Sequence, residues 1–579
     1  MRMRWKVITL ATVLMILTAL VMGATALTEK EFHGAWPYSL PPAGHFNTYV
    51  PNNLALGIYW DLMEQPLALY KWSDGAWVPQ LATSWKLVPP DKFVVNLRGG
   101  VKWSDGKPFT SEDVVTTWEI GRLMSWPAWE YLKDVEANGP NKVTFHISKP
   151  ASVVGRYALR AQIRAHSVYG SWAGRVKKLV AEGKTRDSDE WKALRGEFEK
   201  FRPAKMIVSG PFQIDANSMT EAQVTLVKVP TAWNANKVGF DRLIIYNGET
   251  PVITPLVLAR QVDYASHGFP PATEKQFVAE GIWIIRPPLY TGPALFFNHS
   301  IYPLNRKEVR QAIAYAVNRE ENGMIAMGES GRAVKYMTGF SDNLVPLWMS
   351  PANVKKLEQY DYDPARAEKI LKGIGFTRGK DGIWATDKGD KMEYEIIVPA
   401  EYADWSASAE NLAEQLTRFG IKTVVRAVTY SQHPIDIDAG RFQMAISAWG
   451  VGQPHPHFSY TIDLFIHNYV QAAGPGMNFK MVQDTAALGK VDLEKLVVES
   501  AAGFDEHEQK GDVTRIALAF NELLPIVPLW ERYGNNPALE NVRVGGWPDK
   551  DDPIYKNSVY SDSFTTLMIL TGQLQPATR

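Results

Sequence analysis

The clearest alternation of apolar and polar positions lies between residues 92 and 118. Phe93, Val95 and Leu97 fall on one face and Val94, Asn96 and Arg98 on the other, the period of two expected of a half-buried strand. Trp103-Ser104-Asp105-Gly106-Lys107-Pro108 then predicts a turn, because Gly106 tolerates positive φ and Pro108 presets its own φ while withholding a donor from any ladder. A helix should follow. Thr110 or Ser111 can cap it, Glu112 and Asp113 suit the positive end of its dipole, and Val114, Val115 and Trp118 recur at helical spacing.

The same reading extends along the chain. Residues 27–70 are rich in Trp, Pro, Asn and Tyr, too turn-laden for a helix. Short strands such as 143–147 follow, and the charged stretch 175–201 with scattered Leu, Val, Trp and Phe suits amphipathic helices. From Val208 the texture changes to two strands joined by a polar turn, a further strand at 240–246, and a helix from Pro251 leading into a short strand, QVDYA. Beyond Tyr302 helices and strands alternate. Asn305 and Glu308 form a capping pair ahead of the stripe Val309, Ile313, Ala316 and Val317; Asp363-Pro364 opens another helix; Leu412, Leu416 and Phe419 make a third stripe closed by Gly420, before a strand from Ile421 to Val428. This alternation predicts α/β architecture, a mixed sheet covered by helices.

At 579 residues the chain exceeds what one hydrophobic core serves, so two to four domains are expected. Its zero formal net charge removes the electrostatic reason to expect nucleic acid as a partner. Arg2, Arg4 and Lys6 precede an apolar run from Val7 to Met22 and a small-x-small Ala24-Thr25-Ala26, the form of a signal peptide over residues 1–26, with a retained membrane anchor as the other reading of that run. The chain has no cysteine, which excludes a lipobox, disulfides and thiolate metal sites. A periplasmic or extracellular address is expected.

Catalytic motifs are nearly empty. GESGR at 328 lacks the last glycine of a nucleophile elbow, and no glycine-rich phosphate loop is followed by lysine. His455-Pro456-His457 lacks a third ligand, so hydrogen-bonding histidines are the better reading; no metal, cofactor or catalytic residue is expected. Paired carboxylates of the glycosidase kind are brought together by folding rather than spacing, so a secreted glycoside hydrolase stays open as a reading of another class. Aromatic rings are abundant, with 20 tryptophans and 23 tyrosines, and a pyranose face can stack on an indole while its hydroxyls pair with polar side chains. Most must be core. Trp36 in a GAWP loop, Trp405 at a strand-to-helix junction, Trp449 at the end of the strand 444–448 and Trp547 in GGWPDKDDP occupy the turn and strand-end contexts where clefts form. Asn298 in FFNHS and His267 in DYASHGFPP are the polar candidates beside them.

The block LRGGVKWSDGKPFTSEDVVTTW, together with LFFNHSIYPLNRKEVRQAIAYAVNRE at 295–320, resembles the signature regions of the extracellular solute-binding proteins, family 5, the oligopeptide-, dipeptide-, nickel- and oligosaccharide-binding subunits of ABC importers. The resemblance implies a periplasmic-binding-protein fold of class II type, two lobes and a hinge plus an inserted domain. It divides the chain into a discontinuous first domain (27–70, 206–290 and 536–579), an inserted second (71–205) and a continuous third (291–535). In peptide-binding members a strand-end tryptophan is followed three residues on by an aspartate that pairs with the peptide's amino terminus. Here that place holds Gly452, which argues against free peptides, since a buried ammonium without a counter-charge is costly. Trp449-Gly450 followed by a Pro-rich turn is similar to the oligosaccharide branch instead, which adds Gly450 to the candidates. The expectation is a monomeric binding protein with no chemistry of its own, capturing a β-linked gluco- or manno-oligosaccharide and delivering it to membrane permease subunits; an oligopeptide is the alternative ligand.

Overall fold

The computed structural model describes residues 30–54, 56–472 and 474–577; the expected export segment, 1–26, lies outside them. Strand Lys92–Leu97 buries Phe93, Val95 and Leu97, as its alternation requires. It is an inner strand of an antiparallel sheet ordered Ala82–Val88, Lys92–Leu97, Lys142–Ile147, Leu132–Ala137. The turn after it closes with Trp103 N–H donating to the Lys107 carbonyl at 2.9 Å, and Gly106 sits at φ 84°. Helix Ser111–Leu123 is capped by Thr110, whose Oγ1 accepts from Glu112 N–H at 3.3 Å while the Asp113 carboxylate accepts from Thr110 N–H at 2.7 Å. The other Asp113 oxygen accepts from His166 N–H at 2.7 Å, so one residue both starts this helix and anchors the next, His166–Ala181.

A second sheet joins distant segments: Glu31–Ala35 lies parallel to Arg242–Tyr246, which pairs antiparallel with Gln223–Lys228 and through it with Phe212–Ile214. Its core takes Phe32, Leu226, Leu243 and Ile245 together with Trp547, Phe564 and Met568 from the far end of the chain. The third sheet is mixed, ordered Lys422–Val428, Glu393–Pro399, Met444–Trp449, Gly292–Phe297, Ile526–Pro528, with parallel pairing among the first three strands and antiparallel pairing on both sides of Gly292–Phe297. That strand is buried along its whole length, hence its unbroken apolar run. Helices Lys307–Ala316, Ala403–Phe419 and Glu506–Leu523 bring Ile313, Leu412, Leu416 and Ile516 into the core of this sheet.

Two short segments depart from the pattern reading. QVDYA does not become a strand; only Tyr264 bridges to Gly34 and Ala538, because the His33 carbonyl takes the amides of Asp263 and Tyr264 and the Asp263 carboxylate takes His33 N–H, locking an irregular bend. Asn305 and Glu308 do not make a capping pair. The helix starts one residue later, at Lys307 with Arg306 as its uncapped N-cap, and Glu308 pairs with Arg306 at 3.5 Å.

The second and third sheets are linked by two chain segments that run side by side. Leu289 N–H donates to the Arg532 carbonyl at 3.0 Å, Arg532 N–H to the Thr291 carbonyl at 2.8 Å, and Gly534 N–H to the Pro287 carbonyl at 2.8 Å. Among the described residues no helix is long and apolar enough to cross a membrane.

Candidate functional site

A cavity of about 770 Å³ opens where these linking segments meet the two sheets, within the ~300–1,000 Å³ range of ligand pockets. From the side of the second sheet come Trp36, Trp60, Asp61, Glu249, Ser266, His267 and Tyr560; from the third come Tyr402, Asp404, Trp405, Tyr430 and His433. Arg160 and Gln162 arrive from the first sheet's portion, and Arg532 from a linking segment.

The lining divides into an aromatic surface and a charged floor. Tyr402 and Trp405 meet edge to face at 5.2 Å, and Tyr430 lies 5.3 Å from Tyr402. Opposite them Trp36 and Tyr560 make a T-shaped pair at 6.0 Å. Trp36 is held flat over Gly57, which adopts φ +50°, and a Cβ there would lie 2.0 Å from the indole. Three tryptophans and three tyrosines therefore line one space from both sides, the arrangement that stacks on sugar or other flat apolar faces.

The charged groups are of two kinds. Arg160 is neutralised: its guanidinium reaches Asp61 at 3.1 Å and Asp562 at 2.9 Å, and also donates to the Ser561 carbonyl. Arg532 is less tightly met, with its Nη1 3.7 Å from Asp404 Oδ2, an ion pair outside hydrogen-bond reach. Burial pushes the Asp404 carboxyl up, against the pull of Arg532. Glu249 is pushed up to about 7 by burial, with Asp404 and Glu401 adding to the rise and Arg532 opposing it. Burial lowers His267 and His433 to about 4, so both rings are neutral at pH 7. Buried polar atoms without a hydrogen bond concentrate here: Ser266 Oγ, His267 Nδ1, Asp404 Oδ2, His433 Nε2 and Arg532 Nε all belong to cavity-lining residues. Polar groups buried without partners are costly and uncommon, so a cavity edged by five of them suits a polyhydroxylated or otherwise hydrogen-bonding ligand.

Of the residues singled out in the sequence, Trp36, His267 and Trp405 line this cavity, and Trp449, Gly450, Asn298 and Trp547 do not. Ser447 and Ala448 reach the cavity wall, but Trp449 turns into the core, fully buried, with its Nε1–H 3.4 Å from the Trp530 carbonyl. That a strand ends at the cavity does not fix which way its last side chain turns. Gly450, at φ +60°, donates its N–H to Asp463 Oδ1 at 2.7 Å. Asn298 lies at the opposite end of its strand from Gly292, the end that reaches the cavity; its Nδ2 donates to the carbonyls of Gly440 and Phe442 at 3.0 and 2.9 Å, and its Oδ1 accepts from Ser300. Trp547 packs against Tyr264 and donates to the Leu539 carbonyl at 3.2 Å. Sequence reading missed Trp60, Glu249, Tyr402, Asp404, Tyr430, Arg532 and Tyr560. Tyr402 and Tyr430 follow the ends of two parallel neighbouring strands, so the strand-end rule that selected Trp405 could have found them.

Gly452 has no room for a side chain, since a Cβ would lie 1.9 Å from Ser558 Oγ and 3.0 Å from the Leu289 carbonyl. His455 and His457 are buried, and His457 bonds the Val497 carbonyl at 2.8 Å and Tyr131 Oη at 3.2 Å. Among the described residues no group of three or more His, Cys, Asp or Glu is placed to hold a metal ion.

The family model for bacterial extracellular solute-binding proteins, family 5, matches residues 76–466. The chain belongs to this family. A probable ABC transporter-binding protein of Deinococcus radiodurans is 24% identical over 402 residues, 63% of this chain and 64% of that one, so the alignment spans a little under two thirds of the relative's length. The periplasmic oligopeptide-binding protein OppA of Escherichia coli is 24% identical over 94% of this chain and 95% of its own. Among solved structures, a periplasmic oligopeptide-binding protein of Thermotoga maritima superposes with a TM-score of 0.76 at 23% identity, covering 95% of this chain and all of that one. The same protein with mannohexaose bound gives 0.74 at 22%, over 96% of this chain, and Bacillus subtilis AppA in complex with a nonapeptide gives 0.70 at 17%, over 95%. At these identities the structural likeness establishes the fold, the mixed α/β fold of the family 5 binding proteins.

Proposed function

We propose that this family 5 protein is the substrate-capture subunit of an ABC importer and that its ligand is an oligosaccharide, held in the aromatic cavity and delivered unaltered to membrane permease subunits. The observation that carries the reading is the convergence of Trp36, Trp60, Trp405, Tyr402, Tyr430 and Tyr560, from two separately cored portions of the chain, on a space edged with unpartnered polar atoms. Stacking supplies apolar contact, and the polar atoms orient hydroxyls. Closure is a population shift toward the state in which both aromatic walls touch the ligand, and periplasmic binding proteins are an established case of such closure. A disaccharide of about 23 non-hydrogen atoms at about 0.3 kcal/mol each gives about 7 kcal/mol, a Kd near 10 μM.

A second reading, an oligopeptide ligand, is favoured by the excess of carboxylate over guanidinium in the cavity, where Glu249 and Asp404 face a single incompletely paired Arg532. Against it stands Gly452, which supplies no carboxylate at the position where peptide-binding members of the family carry an amine-pairing aspartate. The experiment is a tryptophan-fluorescence titration, with thermal shift beside it, against β-linked di- to pentasaccharides and di- to pentapeptides. Saturable binding of sugars recovered unhydrolysed supports capture. Binding of peptides alone overturns the sugar reading, and release of reducing ends would make the protein a hydrolase.

A further inference from the structure

Glu249 and His267 are joined through the backbone to Asp404 and Arg532. The His267 Nε2 lies 2.9 Å from the carbonyl of Gly248, the residue before Glu249. A carbonyl only accepts, so Nε2 carries the ring's hydrogen and Nδ1 presents a bare lone pair, which has no partner. Gly268, the next residue, lies against the charged pair: a Cβ there would be 3.0 Å from both Arg532 Nη2 and Asp404 Oδ2. The four side chains thus belong to one corner of the cavity, and all of them line it.

Most of what this corner offers is acceptor. Glu249 is the N-cap of helix Thr250–Leu258 yet makes no capping hydrogen bond, so its carboxylate is not consumed by its own helix. Asp404 is 94% buried, and its Oδ2 takes no hydrogen bond. Tyr560 Oη donates to the Ser266 carbonyl at 3.0 Å, leaving its oxygen to accept. The charges do not balance either. Two carboxylates face one guanidinium, and the other arginine in the cavity, Arg160, is already met by Asp61 and Asp562.

We infer that the Glu249–His267–Asp404 corner is a subsite for a primary ammonium group on the ligand, so that the cavity selects amine-bearing saccharides, β-linked glucosamine oligomers for instance, over neutral or N-acetylated ones. An ammonium brings three donors and one positive charge, which matches a corner made mostly of acceptors, with two carboxyl groups beside one guanidinium. Desolvation raises the Glu249 carboxyl to about 7, and a cation placed beside it would lower it again. The inference rests on the oligosaccharide reading for the kind of ligand, but not for the chemistry of the corner.

The test compares β-1,4-linked glucosamine oligosaccharides, their N-acetylated counterparts and neutral gluco-oligosaccharides of equal length, with peptides carrying free or acetylated amino termini, by calorimetric titration of the wild type and Glu249→Gln. The expected result is about tenfold tighter binding of the amine form than of its acetylated or neutral counterpart. In Glu249→Gln that preference for the amine form over its neutral and acetylated counterparts should shrink several-fold. Equal or tighter binding of neutral and acetylated sugars overturns the ammonium subsite and leaves sugar capture standing. Binding confined to peptides with free amino termini supports the subsite and overturns the sugar reading. No response to any amine-bearing ligand, or a preference that Glu249→Gln leaves unchanged, overturns the subsite.

Discussion

Arg156 donates from Nη2 to the Asp562 carboxylate at 2.6 Å across 406 residues of sequence, and both side chains are buried. Asp562 also accepts from Arg160 Nε at 2.9 Å and from the Trp72 indole at 2.8 Å. Arg156 in turn donates from Nε to Gln453 Oε1 at 2.6 Å, so this one carboxylate fastens the last segment of the chain to the first sheet's portion and, through Arg156, to the third. Asp562→Ala would leave the buried Arg156 guanidinium without a carboxylate and Arg160 with Asp61 alone. The expected cost is about 3–5 kcal/mol of stability, read as a lowered midpoint in chemical denaturation.

Trp405→Ala and Trp449→Ala should separate affinity from stability. Trp405 is half-buried on the cavity wall, and its loss should weaken ligand binding by about 1–3 kcal/mol with little change in Tm. Trp449 is wholly core, and its loss should cost about 3–5 kcal/mol of stability. Paired fluorescence titration and thermal unfolding of the two variants check this. Equal affinity losses in both would place Trp449 in the site after all.

Gly57→Ala tests the seat of Trp36. The residue holds φ +50°, and a Cβ would meet the indole at 2.0 Å. The left-handed backbone alone costs about 1–2 kcal/mol, and the displaced ring should also weaken binding. A variant that binds as tightly as the wild type would show that Trp36 does not need this position.

Acid should destabilise the protein through its buried histidines. Burial lowers His455 to about 3 and His457 to about 4, against 6.5 when unfolded. Both are neutral when folded, so their contribution is fully present above pH 6.5 and is lost as pH falls from 6.5 toward 4, because the unfolded chain then binds the extra protons. At pH 5 each costs up to about 2 kcal/mol. His455→Gln with His457→Gln should lower the Tm at pH 7.5 but flatten its decline down to pH 5.

The sequence made the local elements legible where one residue carries the physics. The Phe93, Val95, Leu97 alternation, the Thr110 cap, the Asp363 cap and the Gly420 terminus at φ 103° all appear in the structure. It misplaced the start of helix Lys307–Ala316, because Arg306 takes the N-cap with no side-chain bond to mark it. The cavity was only partly legible. Trp36 and Trp405 stand in loop and strand-end contexts that sequence can rank, whereas Glu249, Arg532 and Tyr560 meet there only because segments hundreds of residues apart converge. Trp449 shows the limit, since knowing that a strand ends does not tell which way its last side chain turns.

Arg532 belongs to the pair of segments that join the two large sheets, its backbone hydrogen-bonded to Leu289 and Thr291, while its side chain stands in the cavity. Under the proposed closure, one residue of the cargo's cavity is therefore mounted on the axle. Occupancy and lobe angle become a single degree of freedom, and no relay between a distant sensor and the moving part is needed.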